Sequence, residues 1–149
     1  MATLSEAWEF AEKQAFDRIR DYTNSEEGRD AWLGQMPRLM INAWEFSSGG
    51  TSIEPIARTY GTNGLWCNLP LRAILTARYQ NRSECLKLGG KIYAFLNETD
   101  NLHDVGEVHW LRLEGYIEPP TFTEADPDEG TEAYWEMEVP MQLIIKVTG

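Results

Sequence analysis

Apolar residues recur every three or four positions at the start of the chain. Leu4, Trp8, Ala11, Ala15, Ile19 and Tyr22 share one helical stripe, and neither Gly nor Pro interrupts Ser5 to Tyr22. Thr3 and Glu6 have the spacing of a capping box. Phe10 and Phe16 fall off the stripe and suggest a second, weaker contact face. A polar stretch from Thr23 to Gly28 ends the pattern. Asp30 to Leu33 reads as one short helical turn, closed by Pro37.

The period then changes. Arg38 to Phe46 reads as a strand with Leu39, Ile41 and Ala43 on one face and Met40, Trp44 and Phe46 on the other, which suggests cover on both faces. A long polar connection follows from Ser47 to Gly64; connections of this length often carry function. Leu65 to Tyr79 alternates strictly, with Leu69, Leu71, Ala73, Leu75 and Ala77 in one phase and Trp66, Arg72, Ile74 and Arg78 in the other. Pro70 cannot donate to a ladder and marks an edge or a bulge. Cys85, Leu88, Ile92 and Phe95 form the stripe of a second helix, introduced by Asn81 and Glu84. Gly89 and Gly90 in its middle cost about 1 kcal/mol each relative to Ala, which implies close packing on a sheet. Val108 to Ile117 and Tyr134 to Val147 are two more strands; the last has the strongest alternation, through Met137, Val139, Met141, Leu143 and Ile145. Pro140 sits in its outer phase.

The order is αββαββ in a single domain, residues 1–149. The expected fold is α+β: a four-stranded antiparallel or mixed sheet with two helices packed on one face. The opposite face would carry Trp44, Trp66, Ile74, Trp110, Tyr116, Tyr134 and Ile144 among charges. A contiguous apolar patch there would mark an interface, and Trp44, Trp66, Trp110, Tyr134 and Ile144 are the candidates.

Charge changes the picture. The formal net charge is −11, and Glu98 to Glu138 holds 13 acidic residues against one basic, Arg112. Such a chain has no broad basic footprint for a phosphate backbone, so neither tight nucleic-acid binding nor an anionic membrane is expected. The acidic run either solvates the protein, repels nucleic acid or meets a basic partner. Glu124, Asp126, Asp128, Glu129 and Glu132 are the candidates for an acidic channel or partner loop. No apolar run approaches the length of a membrane span, and the first residues lack a signal pattern, which together imply a soluble intracellular domain.

Candidate chemistry is sparse. Asp100, His103, Asp104, Glu107 and His109 supply ligand types without metal-site spacing, and Asp126-Pro-Asp128-Glu129 lacks the calcium-loop pattern, so no metal is expected. There is no GxSxG elbow and no phosphate-binding loop. Cys85 begins a helix but lies on its apolar stripe, as a buried inert thiol would. Cys67 and Cys85 form no CxxC. Two histidines leave few general bases. Neither enzyme activity nor a cofactor is expected.

The layout resembles the tail-terminator (tail-completion) proteins of long-tailed bacteriophages. The matching features are the helix Ser5 to Tyr22, the hairpin Arg38 to Tyr79 with its long tip, the helix Arg82 to Asn97, and a last hairpin ending in a long alternating strand. Size, acidity and the lack of catalytic residues also match. The resemblance implies a virion structural protein. It would form a homohexameric ring that caps the tail tube, contacts tail-tube or head-completion proteins, and passes from the bacterial cytoplasm into the virion tail. On that expectation Glu124 to Glu132 lines or rims the channel. The alternative is a small intracellular protein-binding module with an acidic recognition loop.

Overall fold

The computed structural model describes residues 4–48, 57–61, 64–97 and 110–148. Its elements are α1 (Leu4–Tyr22), β1 (Ala31–Leu33), β2 (Ala43–Ser48), β3 (Ala57–Gly61), β4 (Gly64–Tyr79), α2 (Arg82–Asn97), β5 (Trp110–Gly115), β6 (Thr121–Thr123) and β7 (Tyr134–Thr148). The class is α+β. The sheet is mixed, with a main path β1-β2-β4-β7-β5; β3 pairs with β4 and β6 with β7. It differs in detail from a four-stranded αββαββ arrangement, because β1, β3 and β6 are additional strands.

Two of the differences have local causes. Asp30 to Leu33 is not a helical turn. Gly28, at φ 86°, turns the chain so that Ala31 lies parallel to Trp44. Trp44 N–H donates to the Asp30 carbonyl at 3.0 Å, and Gly34 N–H donates to Phe46 at 2.8 Å. The strand expected from Arg38 begins only at Ala43. Leu39 and Asn42 have φ of 71° and 60°, left-handed positions that break a pleat, and Leu39 is exposed. The long polar connection contains β3; residues 49–56 and 62–63 lie outside the described residues.

α1 ends in a Schellman motif. Asn24 takes φ 56°, Ser25 N–H donates to the Arg20 carbonyl at 2.9 Å, and Asn24 N–H donates to Asp21 at 3.2 Å. These bonds satisfy two carbonyls that the helix end would otherwise leave open.

β4 and β7 are the spine, antiparallel from Trp66 opposite Thr148 to Tyr79 opposite Trp135. Each carries two shorter strands on its other side. β4 pairs with β3 over 64–68 and with β2 over 73–78. β7 pairs with β6 over 134–136 and with β5 over 141–146. Pro70 and Pro140 lie within the β4–β7 pairing but between the outer pairings, where a missing N–H on the outer side takes no bond from β2, β3, β5 or β6.

The core lies between the sheet and the helices. Ala73, Leu75 and Ala77 of β4 and Met137, Val139 and Met141 of β7 share one phase and are buried. They cluster with Ala11, Ala15, Phe16 and Ile19 of α1 and Cys85, Leu88, Ile92 and Phe95 of α2. Both described helices therefore serve one sheet face. Trp44 and Phe46 of β2, opposite Ala77 and Leu75, join the same cluster.

Glycines mark two close approaches. A Cβ on Gly89 would meet Met137 Sδ at 3.2 Å, so α2 lies tight on the sheet there. A Cβ on Gly115 would meet the Pro140 carbonyl oxygen at 2.5 Å and Met141 Cγ at 2.9 Å. Gly90 has nothing within 4 Å. Gly115→Ala is thus expected to cost about 1–3 kcal/mol, because backbone must move. Gly90→Ala should instead stabilise by up to about 1 kcal/mol. Urea midpoints of the two variants against the parent check the opposite signs.

Candidate functional site

The expected interface residues do not form one surface. Trp44 is fully buried, contrary to its expected place on the open face. Its ring lies 5.6 Å from that of Phe16 at 54°, and its Nε1 donates to Ser25 Oγ at 3.1 Å. The reason is register: Trp44 sits opposite Ala77, in the core phase of β4. For Trp66, Trp110 and Ile144 only the backbone register is described. Trp66 is opposite Thr148, Trp110 opposite Lys146, and Ile144 opposite Pro70. Their side chains lie outside the described residues. Tyr134 is half-buried, with the Arg78 guanidinium 5.7 Å from its ring centre.

Within the acidic run, residues 124–132 form a hairpin. Asp126 and Thr131 exchange backbone bonds at 3.1 and 2.9 Å. Glu129 N–H donates to the Asp126 carbonyl, Gly130 N–H to Pro127, and Asp128 N–H to Asp126 Oδ1 at 3.1 Å. Gly130, at φ 72°, closes the turn. Glu124, Asp126, Asp128, Glu129 and Glu132 are all exposed. Two of them are tied at one side: Arg38 reaches Glu129 at 3.3 Å, and Gln80 Nε2 donates to Glu132 at 3.1 Å. An exposed pair of this kind contributes at most about 1 kcal/mol. Glu124 and Asp128 are exposed on a backbone held by its own bonds, and Asp126 braces the turn through its carboxylate.

The feature that sequence reading missed is a groove of about 370 Å³ on the outer side of α2. Leu86, Gly90 and Tyr93 form one wall; Ile117, Pro119 and Pro120 form the other. Leu86 is 48% exposed and Tyr93 63% exposed. Tyr116 and Phe122 are also exposed nearby along the chain. The spacing of Leu86, Gly90 and Tyr93, at i, i+4 and i+7, was the available signal for a second stripe on this helix.

A larger hollow, about 680 Å³, opens among Ser47, Arg72, Ile74, Tyr116 and Gln142, with Ser48 at its edge. Ser48 is held by α1: its N–H donates to Glu12 Oε2 at 2.8 Å, its hydroxyl also bonds that oxygen, and Trp8 Nε1 donates to Ser48 Oγ at 2.7 Å. His103 and His109 lie outside the described residues, as do Asp100, Asp104 and Glu107. Among the described residues no group of three His, Cys, Asp or Glu stands close enough to hold a metal. No described helix is long and apolar enough to cross a membrane.

Cys85 is buried at the start of α2, with Sγ donating to the Trp135 carbonyl at 3.6 Å. Burial pushes its thiol up, against the smaller opposing effects of a backbone hydrogen bond from Tyr79 and the Arg82 charge. Burial likewise pushes the Tyr79 phenol up, helped by Asp30. A raised pKa leaves less thiolate to react. Native protein at pH 8 is therefore expected to leave Cys85 unalkylated by iodoacetamide, while urea-unfolded protein reacts fully. Peptide mass mapping checks this, and rapid native labelling at Cys85 would contradict the burial.

No protein-family model matches the chain, and neither does any curated protein.

Proposed function

We propose that this protein is a virion structural protein, a tail terminator that assembles as a homohexameric ring at the head-proximal end of a tail tube. The observation that carries the reading is the pairing of an apolar, open groove on α2 with a rigid, exposed acidic hairpin on one small α+β domain. Apolar surface of this kind suits contact with another protein subunit. A net charge of −11 suits a collar through which a duplex must pass without sticking, because like charge repels the phosphates and releases no counterions. The role is structural and uses no cofactor or metal. Its partners are further copies of itself and tail-tube or head-completion proteins, with no tight grip on nucleic acid or membrane. Location follows the virion: bacterial cytoplasm during assembly, then the tail.

The test is assembly. Light scattering over a concentration series, followed by mixing with purified tail tubes, should show discrete rings alone or on tube ends. A chain that stays monomeric and ignores tube ends would refute the reading. The braced hairpin also favours a second reading, a monomeric module that recognises a basic partner. Stoichiometric capture of a Lys/Arg-rich peptide by a strict monomer would select it.

A further inference from the structure

We propose that the hollow of about 680 Å³ over β4 and β7 is a binding site for a small carboxylate with a flat apolar body. The proposal goes beyond the ring reading and does not depend on it.

Strand register builds the hollow. Ile74 of β4 and Pro140 of β7 stand opposite each other, in the phase away from the buried Leu75 and Val139. Ser47 of β2 continues their row on one side, opposite Ile74. Tyr116 continues it on the other side, where its N–H donates to the Pro140 carbonyl at 3.3 Å. Gly115 allows that approach: a Cβ there would meet the Pro140 carbonyl oxygen at 2.5 Å. Two residues along β4, Arg72 stands opposite Gln142. The lining therefore combines an apolar row, Ile74 and Pro140 with the Tyr116 ring beside them, and a polar row, Arg72 and Gln142. Small-molecule sites have this composition and measure roughly 300–1,000 Å³.

Charge selects the ligand class. Arg72 is the sole charged residue of the lining, a cation in a protein of net charge −11. A second arginine of β4 shows what is unusual about it. Arg78 shares the phase of Arg72, stands opposite Glu136 and reaches that carboxylate at 3.7 Å. The same pairing of β4 with β7 gives Arg72 a neutral amide instead. Among the described residues Arg72 has neither an ion pair nor a hydrogen bond. Its guanidinium is thus free to donate, and the Gln142 amide beside it offers a further N–H. A planar fork of N–H groups matches the two oxygens of a carboxylate. A phosphate dianion would leave one charge uncompensated, because the lining holds no second cation. With the carboxylate on Arg72, the rest of the ligand lies along Ile74, Pro140 and the ring of Tyr116.

Titration with three naphthalene probes of one shape tests the site. Naphthylacetate carries the carboxylate, naphthylacetamide is neutral and naphthylethylamine is cationic. By calorimetry, naphthylacetate should bind one molecule per chain, at least about tenfold more tightly than either of the others. Arg72 is exposed, so Arg72→Gln should keep the parent's circular dichroism. It should weaken naphthylacetate at least about tenfold and leave naphthylacetamide unchanged. Arg72→Lys should recover part of the loss, since it restores the charge without the fork. Arg18→Gln removes an exposed arginine of α1 outside the hollow and should bind like the parent. In NMR spectra, naphthylacetate should shift the backbone amides of Ser47, Ile74, Tyr116 and Gln142. A parent that binds none of the probes at millimolar concentration would overturn the site. Equal affinity for all three, undiminished binding by Arg72→Gln, or shifts confined to other residues would overturn it as well.

Discussion

Val139→Asp is expected to leave the chain unfolded at 25 °C. Val139 is fully buried in the middle of β7, opposite Leu75, which is also fully buried. It belongs to the cluster shared with both helices, so a carboxylate there meets neither water nor a cation. The carboxylate must either be buried charged or be held protonated far above its ordinary pKa, and both cost several kcal/mol. A domain of this kind has about 5–15 kcal/mol in total, and the lost valine packing adds to the loss. Gln142→Asp on the same strand is the control, because Gln142 is exposed and its change should stay within about 0.5 kcal/mol. Far-ultraviolet circular dichroism across a urea series separates the two. Equal shifts would mean that the phase of β7 is wrong.

The second large effect is at Trp44. Trp44→Ala should cost about 3–5 kcal/mol, the range for truncating a buried large aromatic. The ring fills the space between β2 and α1 against Phe16 and is fully buried. Truncation also removes the donor that Ser25 accepts from the indole. Trp44→Phe should keep most of the packing and lose only the hydrogen bond, about 1 kcal/mol. If Trp44→Ala proves as mild as a surface change in denaturant midpoint, Trp44 belongs on the open face after all.

Trp44 also shows where periodicity stops. The alternation in Leu65–Tyr79 and Tyr134–Val147 is strict, and the strands observed there are Gly64–Tyr79 and Tyr134–Thr148. The stripe of Cys85, Leu88, Ile92 and Phe95 is the buried face of α2, at the expected boundaries Arg82–Asn97. Long elements carry enough repeats to set their own phase. β2 does not. Counting from Arg38 put Trp44 in the phase away from the core's small residues, but Leu39 and Asn42 turn the chain first, so phase starts afresh at Ala43. β1 and β6 have three residues each and show no period at all; their place comes from pairing with β2 and β7. Phe16 lay off the expected stripe of α1 yet is fully buried, because two layers, sheet and α2, widen that helix's covered face.

The candidate site was legible in parts. The five acidic residues were visible as charge, but not the hydrogen bonds that make them a rigid turn. Those bonds come from Asp126, Thr131 and Gly130 in one geometry, which composition alone cannot select. The groove was hidden for another reason. It joins Leu86, Gly90 and Tyr93 to Ile117, Pro119 and Pro120, and the two walls are brought together by the tight seat of Gly89 over Met137 and Ile117.

The position of β7 has a kinetic consequence. The strand is central in the sheet, with β4 on one side and β5 and β6 on the other. It is also the last of the described elements to be synthesised. Until residues 134–148 have left the ribosome, β4 shows a bare edge and the core lacks Met137, Val139 and Met141. α1 must wait through more than a hundred further residues, several seconds at about 5–20 residues per second, before its apolar face is covered. Folding is therefore expected to be late and all at once, with a nascent chain that depends on shielding until β7 arrives.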